Sequence, residues 1–350
     1  MSLVSFMSQG ELNPLFHDKS ILVTGGTGSF GRRFIKTILE RYYARRVIVF
    51  SRDEFKQSVM QEKYDDPALR YFLGDIRDRD RLMQAMEGVD IVVHAAALKQ
   101  VPALEYNPSE AIKTNIHGTE NVVAAALAHN VEKVIALSTD KAAAPVNLYG
   151  ATKLTAEKIA ISANNFAGKR DTRLSVVRYG NVIGSRGSVI PLFQKLLAEG
   201  AKEFPITDPN MTRFLLTLQQ SVDFVIDCGA RMWGGETFIP RIPSATIGTM
   251  AEAIAPDMPQ KVVGIRPGEK LHEVLCLPDT AWQTIEFERH FVVKPSFKFN
   301  RIDVDYLTAA NGEQGKPVAG DFDYNSFNNP DYVSADVLRA MIEQAMPFDA

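Results

Sequence analysis

Two residues near the middle of the chain have the types and spacing of an oxidation centre. Tyr149 and Lys153 are four positions apart, so on a helix they project from one face, a turn from each other. A nearby ammonium favours the phenolate, so we expect a lowered tyrosine pKa and proton transfer from a substrate hydroxyl as hydride leaves. Taken alone, the same spacing is also that of an ordinary surface pair.

A second reactive group lies just before this pair. Thr139, Asp140 and Lys141 place a hydroxyl, an acid and a base side by side. Simple oxidation of an alcohol has no use for an adjacent acid and base, whereas elimination of water beside a new carbonyl needs both. These residues therefore indicate a second proton transfer. The alternative is that Asp140 and Lys141 form a loop ion pair.

The elements around these residues indicate how they are positioned. The apolar run 131–137 predicts a buried strand that ends at Ser138, and Tyr149 then opens a helix. In an open α/β sheet, ligands bind in the crevice beyond the carboxyl ends of the strands. We therefore expect the reactive residues to lie in such a crevice, facing a cofactor and a substrate.

An earlier segment has the pattern of a dinucleotide-binding turn. The aliphatic run 20–24 passes into a glycine-rich stretch and then into a helix-like segment that includes Arg32. Glycines in this arrangement allow a tight turn, close approach of backbone to a pyrophosphate, and close packing of helix on strand. The cofactor contacts predicted here are Gly25, Thr27, Gly28, Ser29, Phe30 and Gly31.

The end of the second predicted strand, 47–50, indicates which dinucleotide binds. An acidic residue in first place there favours the free ribose hydroxyl of NAD. This chain instead has Ser51 and Arg52, with Lys56 a turn later, which offer a hydroxyl and cations to a phosphate and favour NADP. The alternative is that Arg52 is a surface residue and Asp53 binds the ribose. The remaining predicted cofactor contacts are Asp75, Ile76, Ala95, Ala97 and Val182.

The order of predicted elements indicates the fold class and the domains. Strands alternate with helices through the first half, which predicts an α/β fold with a Rossmann-like, doubly wound parallel sheet. After Asn181 the pattern is less regular and richer in proline and glycine. We predict a cofactor-binding domain of 18–182 with about 214–240, and a smaller, interleaved substrate-binding domain of 183–213 with about 241–350.

Three segments carry more local predictions. The first 17 residues are expected to be a loose lead-in. Segments 111–129 and 216–228 are each predicted to form a helix. His94 falls inside a strand pattern, so we expect a packed or hydrogen-bonded core histidine rather than a catalyst. Lys99, in the loop that follows, is expected to face the substrate.

Composition limits the class of protein. A chain of 350 residues with 45% hydrophobic content can bury a sizeable core, and a net charge of −3 gives no basis for nucleic-acid binding. The two cysteines, Cys228 and Cys276, fit neither a disulfide framework nor a metal site. No apolar segment reaches the ~18 to 20 residues that cross a bilayer. We therefore expect a cytoplasmic protein with no metal and no membrane partner.

Several motifs resemble those of the extended short-chain dehydrogenase/reductases. They are 24–31, 94–99, 138–142, 149–153, 178–182, 185–189, 211–214 and 266–270, so the resemblance covers nearly the whole chain from about Ile21. The pair Asp140-Lys141 is a specific mark, because related nucleotide-glucose dehydratases carry Asp-Glu there. Together with Tyr149, which some inverting relatives lack, it is similar to the branch that dehydrates UDP-N-acetylglucosamine at the start of pseudaminic acid biosynthesis.

That resemblance implies a three-part cycle. Tyr149 deprotonates the hydroxyl on carbon 4 as hydride passes to NADP, and Lys153 holds the cofactor ribose. Lys141 then removes the hydrogen on carbon 5, and Asp140 protonates the departing hydroxyl of carbon 6. Hydride returns to carbon 6, and carbon 5 is reprotonated from the opposite face, which gives UDP-2-acetamido-2,6-dideoxy-β-L-arabino-hexos-4-ulose. For Lys141 to act as a base it must be neutral part of the time, which burial and nearby Lys153 would promote.

The same resemblance implies the substrate contacts and the assembly. The implied contacts with the sugar nucleotide are Lys99, Thr139, Tyr149, Asn181, Arg213, Arg266 and Glu269, with the arginines facing the diphosphate. Arginines at these positions are alternatively structural. Relatives form homo-oligomers, so we expect one here. Two other functions compete with dehydration: a UDP-sugar 4-epimerase, which has no use for an acid and a base at Asp140 and Lys141, and a non-catalytic NADP-binding regulator, which has no use for Tyr149 and Lys153.

Overall fold

The computed structural model describes residues 14–168, 170–185, 187–297 and 304–345. Residues 1–13 of the predicted lead-in, Arg186 of one motif and two stretches of the predicted substrate-binding domain, 298–303 and 346–350, lie outside the described residues.

The described end of the lead-in is not loose. A short 3₁₀ turn, Pro14–Phe16, places the Phe16 ring in the core, where it is fully buried. The ring packs edge-on against Phe34 and Tyr42, with centroids 5.9 and 5.5 Å away. The prediction of a loose segment was wrong here because an aromatic side chain gains more from burial than the short turn costs in order.

The first half alternates strands and helices as predicted. Its strands are β1 Ser20–Thr24, β2 Arg46–Ser51, β3 Leu69–Leu73, β4 Ile91–His94, β5 Lys133–Thr139 and β6 Arg173–Tyr179. Its helices are α1 Ser29–Arg41, α2 Glu54–Lys63, α3 Arg79–Ala85, α4 Val101–Tyr106, α5 Pro108–Ala111, α6 Gly118–Ala128 and α7 Leu148–Ser162. The main strands and helices expected in this half are present, with ends shifted by one or a few residues.

These strands form a parallel sheet that is buried on both faces. Along β1, Ile21 and Val23 belong to the apolar cluster on one face, and Leu22 belongs to the cluster on the other. The first cluster includes Phe34 of α1, and the second includes Val122 of α6. The parallel strand order is β3-β2-β1-β4-β5-β6. The prediction of a doubly wound parallel sheet is confirmed.

The helix predicted over 111–129 is interrupted near its start. A π-helical segment, Ile112–His117, joins α5 to α6, so one continuous run begins earlier than predicted. Asn115 of this segment receives a hydrogen bond from the Leu98 amide at 2.8 Å and donates to the Leu98 carbonyl at 3.0 Å. It also donates to the Thr152 hydroxyl at 3.1 Å. The π turn therefore fastens helix α7 to the loop after β4.

The second half of the chain contributes shorter elements. Its strands are β7 Asn181–Val182, β8 Phe204–Ile206, β9 Thr212–Leu216, β10 Thr237–Pro240, β11 Ser244–Thr246, β12 Gln260–Val262, β13 Val274–Cys276, β14 Thr284–Glu286, β15 His290–Val293, β16 Lys316–Pro317 and β17 Tyr324–Asn325. Its helices are α8 Val189–Ala198, α9 Leu218–Arg231, α10 Ile247–Ile254 and α11 Ala335–Ala345.

The helix predicted from Leu216 begins two residues later. Leu216 ends strand β9, and Thr217 caps α9. The Thr217 hydroxyl accepts from the Gln220 amide, and the Gln220 side chain accepts from the Thr217 amide, which is a complete capping box. The Thr-x-x-Gln signal for this boundary was present in the sequence. The apolar run that spans the strand and the helix masked it.

The central sheet includes strands from outside the segments that the sequence predicted for the cofactor-binding domain. Among the described residues it has ten strands, in the order β16-β14-β15-β10-β6-β5-β4-β1-β2-β3. β10 continues the parallel part, and β15, β14 and β16 add antiparallel strands at that edge. Strands β14, β15 and β16 thus belong to the large sheet, although they fall within the range predicted for the substrate-binding domain. Its aromatic and β-branched side chains complete the same core, for example Phe291 and Val292.

The smaller part of the molecule has its own core. Its buried residues come from three separate stretches of chain, represented by Phe193, Met250 and Leu338. Phe193 stacks on Phe204 with ring centroids 4.7 Å apart. This interleaving agrees with the change of pattern that the sequence shows after Asn181. The two cysteines are free and buried, and in the part of the chain that the structure describes no helix is long and apolar enough to span a membrane.

Candidate active site

A cavity of about 570 Å³ lies beyond the carboxyl ends of the parallel strands. Every predicted cofactor contact lines it: Gly25, Thr27, Gly28, Ser29, Phe30, Gly31, Ser51, Arg52, Asp53, Lys56, Asp75, Ile76, Ala95, Ala97, Tyr149, Lys153 and Val182. So do Lys99, Thr139, Asp140, Lys141 and Asn181. The structure therefore brings the predicted oxidation pair, the acid–base pair and the glycine-rich turn to one space.

The glycine-rich turn forms a cradle that a side chain would fill. Gly25 has φ +67°, and a Cβ there would lie 2.9 Å from the Ala96 amide nitrogen. Helix α1 follows directly, with no side-chain cap at Gly28 and no acidic residue in its first turn. Its free amides and positive dipole end favour an anion. These features fit the diphosphate of a dinucleotide.

The end of β2 holds its charged residues in pairs. Asp53 caps α2 by accepting from the Lys56 amide, and its carboxylate also binds the Lys56 ammonium. Arg52 reaches the Asp75 carboxylate at 3.5 Å and is half exposed. Ser51 shares a hydrogen bond of 2.7 Å with Thr27 of the glycine-rich turn. Ser51, Arg52, Asp53 and Lys56 all line the cavity at the strand end where the sequence predicts the ribose contact.

His94 is a core residue, as expected. Its two ring nitrogens share hydrogen bonds with the Thr24 hydroxyl at 2.7 Å and the Thr119 hydroxyl at 3.1 Å. Burial, with a smaller effect of Lys153, lowers the pKa of His94 to about 3. The imidazole is therefore neutral and connects β1, β4 and α6 below the cavity floor.

The oxidation pair is held by the start of helix α7. The Asn147 side chain caps this helix by accepting from the Gly150 amide at 2.8 Å. A Cβ at Gly150 would collide with the Lys141 carbonyl, so the absence of a side chain lets the helix begin against the acid–base turn. Lys153 is 5% exposed and donates to the Leu137 carbonyl at 2.7 Å.

The proton affinities of this pair differ from the prediction. Burial raises the pKa of Tyr149, and the charge of Lys141 and a hydrogen bond with Thr139 offset this only in part. The expectation of a lowered tyrosine pKa was therefore wrong, because burial outweighs the nearby cations. Burial lowers the pKa of Lys153 to about 8, and the Glu157 carboxylate opposes the shift.

The acid–base pair occupies a single 3₁₀ turn, Asp140–Ala142, at the end of β5. Asp140 is 1% exposed and accepts from the Thr139 hydroxyl at 2.9 Å and from the Lys141 ammonium at 3.0 Å. The loop ion pair considered above as an alternative thus exists. It lines the cavity beside Tyr149, so the ion pair and an acid–base role do not exclude each other.

Lys141 also contacts a carboxylate that the sequence did not reveal. The ammonium lies 3.3 Å from Glu273, which is 2% exposed. Burial lowers the pKa of Lys141, but Asp140 and Glu273 outweigh it, so the pKa lies above its ordinary value. Burial thus favours neutral Lys141, as expected, but the two carboxylates reverse the net direction. Glu273 carries no local signal beyond its place three residues after Lys270, at the end of the 266–270 motif.

Three predicted substrate contacts do not line the cavity: Arg213, Arg266 and Glu269. Arg213 is buried and donates to the Thr212 carbonyl at 2.7 Å, and its Nε lies 3.9 Å from Glu273. In the polar turn, the Glu269 carboxylate accepts from the Arg266 amide at 3.3 Å. Contact of these residues with a sugar nucleotide stays a prediction.

Several lining residues were not predicted. They are Phe50, Gly74, Ala96, Leu98, Gln100, Thr114, Leu137, Ser138, Tyr179, Gly180, Ser185, Gly187, Ser188 and Leu218. Most neighbour a predicted residue, so the signal was adjacency to a motif. Thr114 and Leu218 come from helices without a motif, and only the packing of the chain brings them here.

Polar atoms without a partner mark where a ligand fits. Among the described residues, Ser138 Oγ, Asp140 Oδ2 and Asn181 Oδ1 are buried and have no hydrogen-bond partner. All three residues line the cavity. An unmade hydrogen bond of a buried polar atom costs about 1 to 3 kcal/mol. A polyhydroxylated ligand would satisfy these atoms.

Comparison with known proteins identifies the family. The profile of the family described as "Polysaccharide biosynthesis protein" matches residues 21–295. The chain belongs to this family. A relative from Campylobacter jejuni named "UDP-N-acetylglucosamine 4,6-dehydratase (inverting)" is 52% identical to this family member, over 95% of the chain and 100% of the relative. A relative from Rickettsia massiliae named "UDP-glucose 4-epimerase" is 45% identical, over 75% of the chain and 78% of the relative.

Solved structures agree with the fold of this family member. Pen from Bacillus thuringiensis is 38% identical with a TM-score of 0.84, covering 94% of this chain and 98% of its own. DesIV from Streptomyces venezuelae, a dTDP-glucose 4,6-dehydratase solved with NAD and TYD bound, is 25% identical with a TM-score of 0.64, covering 72% and 86%. The recognition of an extended short-chain dehydrogenase/reductase is confirmed.

Proposed function

We propose that the protein is a UDP-N-acetylglucosamine 4,6-dehydratase that inverts carbon 5. The observation that carries this proposal is the ion pair of buried Asp140 and partly exposed Lys141 in the same cavity as Tyr149 and Lys153. The full-length relative with the matching name supports the same reaction and substrate. The product is UDP-2-acetamido-2,6-dideoxy-β-L-arabino-hexos-4-ulose, the first intermediate of pseudaminic acid biosynthesis.

Oxidation at carbon 4 is assigned to the residues of helix α7. A bound nicotinamide would accept a hydride from carbon 4 and later return one to carbon 6. Tyr149 takes the proton of the carbon-4 hydroxyl, and its raised pKa makes it a strong proton acceptor once it is ionised. Lys153, fixed on the Leu137 carbonyl, orients the cofactor ribose beside Tyr149.

Elimination of water is assigned to the acid–base turn. The Lys141 ammonium lies 3.0 Å from the Asp140 carboxylate. Transfer of one proton from Lys141 to Asp140 converts this ion pair into a neutral amine and a carboxylic acid. The neutral Lys141 removes the carbon-5 hydrogen, and the electron pair moves toward the new ketone. The electron pair then expels the carbon-6 hydroxyl, which takes the proton from Asp140 and leaves as water. The step ends in the ion pair seen in the structure.

The closing steps invert carbon 5. After water leaves, carbon 6 is reduced, and carbon 5 receives a proton on the face opposite to the one that lost it. Lys141 and Asp140 lie on one side of the cavity, at the end of β5, so they act on one face of the sugar ring. Inversion requires the other face to receive a solvent-derived proton, which places deuterium at carbon 5 in deuterated water.

The cofactor is a nicotinamide dinucleotide, and we propose NADP rather than NAD. The cradle at Gly25 and the uncapped start of α1 fit the shared diphosphate. The distinguishing phosphate would meet Ser51 and Arg52, because Asp53 is occupied as the cap of α2. Titration calorimetry is expected to give tighter binding of NADP, and Arg52→Ala should reduce NADP affinity by about tenfold with little effect on NAD. Equal affinities in the native protein would contradict this choice.

Contacts with the sugar nucleotide are proposed at the open side of the cavity. Lys99, Thr139 and Asn181 line it and offer a cation, a hydroxyl and an amide. The roles of Arg213, Arg266 and Glu269 stay predictions. We also propose a homo-oligomer, in line with the resemblance. Light scattering after size-exclusion chromatography tests it, and a monomeric mass would contradict it.

The alternative function is a UDP-sugar 4-epimerase, which the name of the Rickettsia relative favours. The decisive experiment incubates the protein with UDP-N-acetylglucosamine and cofactor in deuterated water and follows the sugar by NMR. Dehydration removes the carbon-6 hydroxyl and introduces deuterium at carbon 5. A carbon-4 epimer as the sole product would reject the proposal. Lys141→Ala should abolish dehydration, whereas an epimerase would keep most of its activity.

A further inference from the structure

A buried carboxylate from the second half of the chain contacts the proposed base. Glu273 Oε1 lies 3.3 Å from the Lys141 ammonium, and Glu273 is not among the residues that line the cavity. The residue therefore reaches the reaction only through Lys141. Its second carboxylate oxygen is buried and has no hydrogen-bond partner among the described residues.

The Glu273 backbone is held by two hydrogen bonds to Ser326. Its amide donates to the Ser326 hydroxyl at 2.9 Å, and its carbonyl accepts from the Ser326 amide at 2.8 Å. Arg213 lies 3.9 Å from the carboxylate on another side. A buried carboxylate held beside an ammonium stabilises the protonated form of that ammonium and so raises its pKa.

We propose that Glu273 is a positioning residue that sets the strength of Lys141 as a base by stabilising its ammonium form. This inference rests on the proposed dehydration. When neutral Lys141 takes the carbon-5 hydrogen, the new positive charge forms between Asp140 and Glu273. The substrate carbon loses a proton and keeps the electron pair, Lys141 gains the proton, and no other reactant is needed. Glu273 thus favours the charged product of this transfer over its neutral starting form.

The cations around Lys141 oppose this effect, whereas the Asp140 carboxylate reinforces it. The groups that face it are Asp140, Glu273, Tyr149, Arg213, Lys99 and Lys270. Three of these are cations, which lower the affinity of Lys141 for a proton. Asp140 gives up its negative charge whenever it holds the shared proton. In that state Glu273 is the remaining anion close to Lys141.

The test compares two reactions of the same protein with Glu273→Gln. Oxidation of the sugar is followed by the absorbance of reduced cofactor in a single turnover, and elimination by the NMR assay. We expect elimination to slow by about tenfold or more while oxidation changes by less than about threefold. The active form of the Asp140–Lys141 pair carries one shared proton. Loss of that proton at high pH therefore sets the alkaline limb of the pH–rate profile for elimination. Removing a negative neighbour should move this limb about one unit to lower pH.

Two further variants separate an electrostatic role from a structural one. Glu273→Asp keeps the charge and should recover part of the rate, with a limb nearer to that of the native protein. Glu236→Gln is the matched control, because Glu236 is also 2% exposed but binds Ser175 and the amides of Trp233 and Gly234 away from the cavity. It should lower the melting temperature and leave the ratio of elimination to oxidation unchanged.

The outcomes distinguish the two proposals. Equal slowing of both reactions by Glu273→Gln with an unmoved alkaline limb would assign Glu273 a structural role and overturn the inference. Unchanged elimination in that variant would overturn it as well. If the native protein itself introduces no deuterium at carbon 5, the proposed dehydration fails, whatever the variants do.

Discussion

Lys141 and Lys153 line one cavity, but their pKa values are shifted in opposite directions. Lys153 donates to a backbone carbonyl, and burial lowers its pKa to about 8. Lys141 lies between two carboxylates, Asp140 and Glu273, which raise its pKa despite burial. The difference shows that burial alone does not determine the state of a lysine in this site. The number of carboxylates in contact with it does.

The two lysines also depend on different parts of the chain. Lys153 is held by its own helix and by strand β5, which are neighbours in sequence. Lys141 contacts Glu273, which directly precedes β13 in the second half of the chain. Glu273 is in turn hydrogen-bonded to Ser326, which directly follows β17. The proposed oxidation therefore depends on residues that are close in sequence, whereas the proposed elimination depends on how the two halves of the chain meet.

The largest expected effect comes from removing each lysine in turn. Lys141→Met should slow elimination by about 10² to 10⁴-fold and still allow oxidation, so reduced cofactor accumulates with substrate. Lys153→Met should slow oxidation by a similar factor, so neither reduced cofactor nor product appears. Stopped-flow absorbance with NMR of the product checks both. The exposed Lys158→Met, on the outer face of α7, is the control. Identical kinetic patterns for the two variants would remove the distinction between the lysines.

A smaller effect is expected on stability, and it depends on pH. Folding lowers the pKa of Lys153 from 10.5 to about 8, so between these values the unfolded chain binds more protons and native stability rises with pH. Below about pH 8 this penalty is complete, at about 3 kcal/mol, while the hydrogen bond to Leu137 returns about 1 kcal/mol. Lys153→Met should thus be more stable by about 2 kcal/mol at about pH 7, without cofactor.

The sign of this difference changes at higher pH. As pH rises above 10.5 the penalty disappears, and the native protein should become the more stable of the two by about 1 kcal/mol. Urea unfolding at about pH 7 and about pH 11 measures both differences. Lys158→Met should show no such crossing, since Lys158 is exposed. A pH-independent difference for Lys153→Met would mean that the buried lysine keeps its ordinary proton affinity.

The smallest expected effect tests the link between the two halves. Ser326→Ala removes the acceptor of the buried Glu273 amide, which costs about 1 to 3 kcal/mol of stability and loosens the carboxylate beside Lys141. Elimination should slow by about fivefold and oxidation should not change, because one loosened contact is worth about 1 kcal/mol. Ser175→Ala, which removes a buried partner of Glu236, is the control. Slower oxidation in the Ser326 variant would contradict the division of roles.

Much of the fold could be predicted from the sequence. The strand, glycine turn and helix at 20–41 are local patterns, and so is the turn from β5 into α7 that carries Tyr149 and Lys153. The edge strands β14 and β15 were missed because both are short, and the hairpin that they form joins the sheet only through β10, which is distant in sequence. Local periodicity carries no information about such pairing.

The candidate site could be predicted only in part, for the same reason. Residue types and spacing located Asp140 and Lys141, but their charge state depends on Glu273, which no local pattern connects to them. The direction of the Lys141 pKa therefore could not be predicted from the sequence. Arg213 was expected at the diphosphate, and its place beside Glu273 follows from the hydrogen bonds that Thr212 and Arg213 donate to the Leu271 carbonyl. The first 13 residues lie outside what the structure describes.

The π-helical segment Ile112–His117 has a consequence for how relatives are aligned. A π turn holds one residue more than the α-helical turn it replaces, so this segment has the length of an α-helix with one inserted residue. Deleting a residue there would restore a regular helix, in which the two ends keep their relative orientation but the wide turn around Asn115 is lost. Asn115 would then leave Leu98 and Thr152. Homologues whose catalytic helix docks in the same way are therefore expected to share a single-residue insertion here.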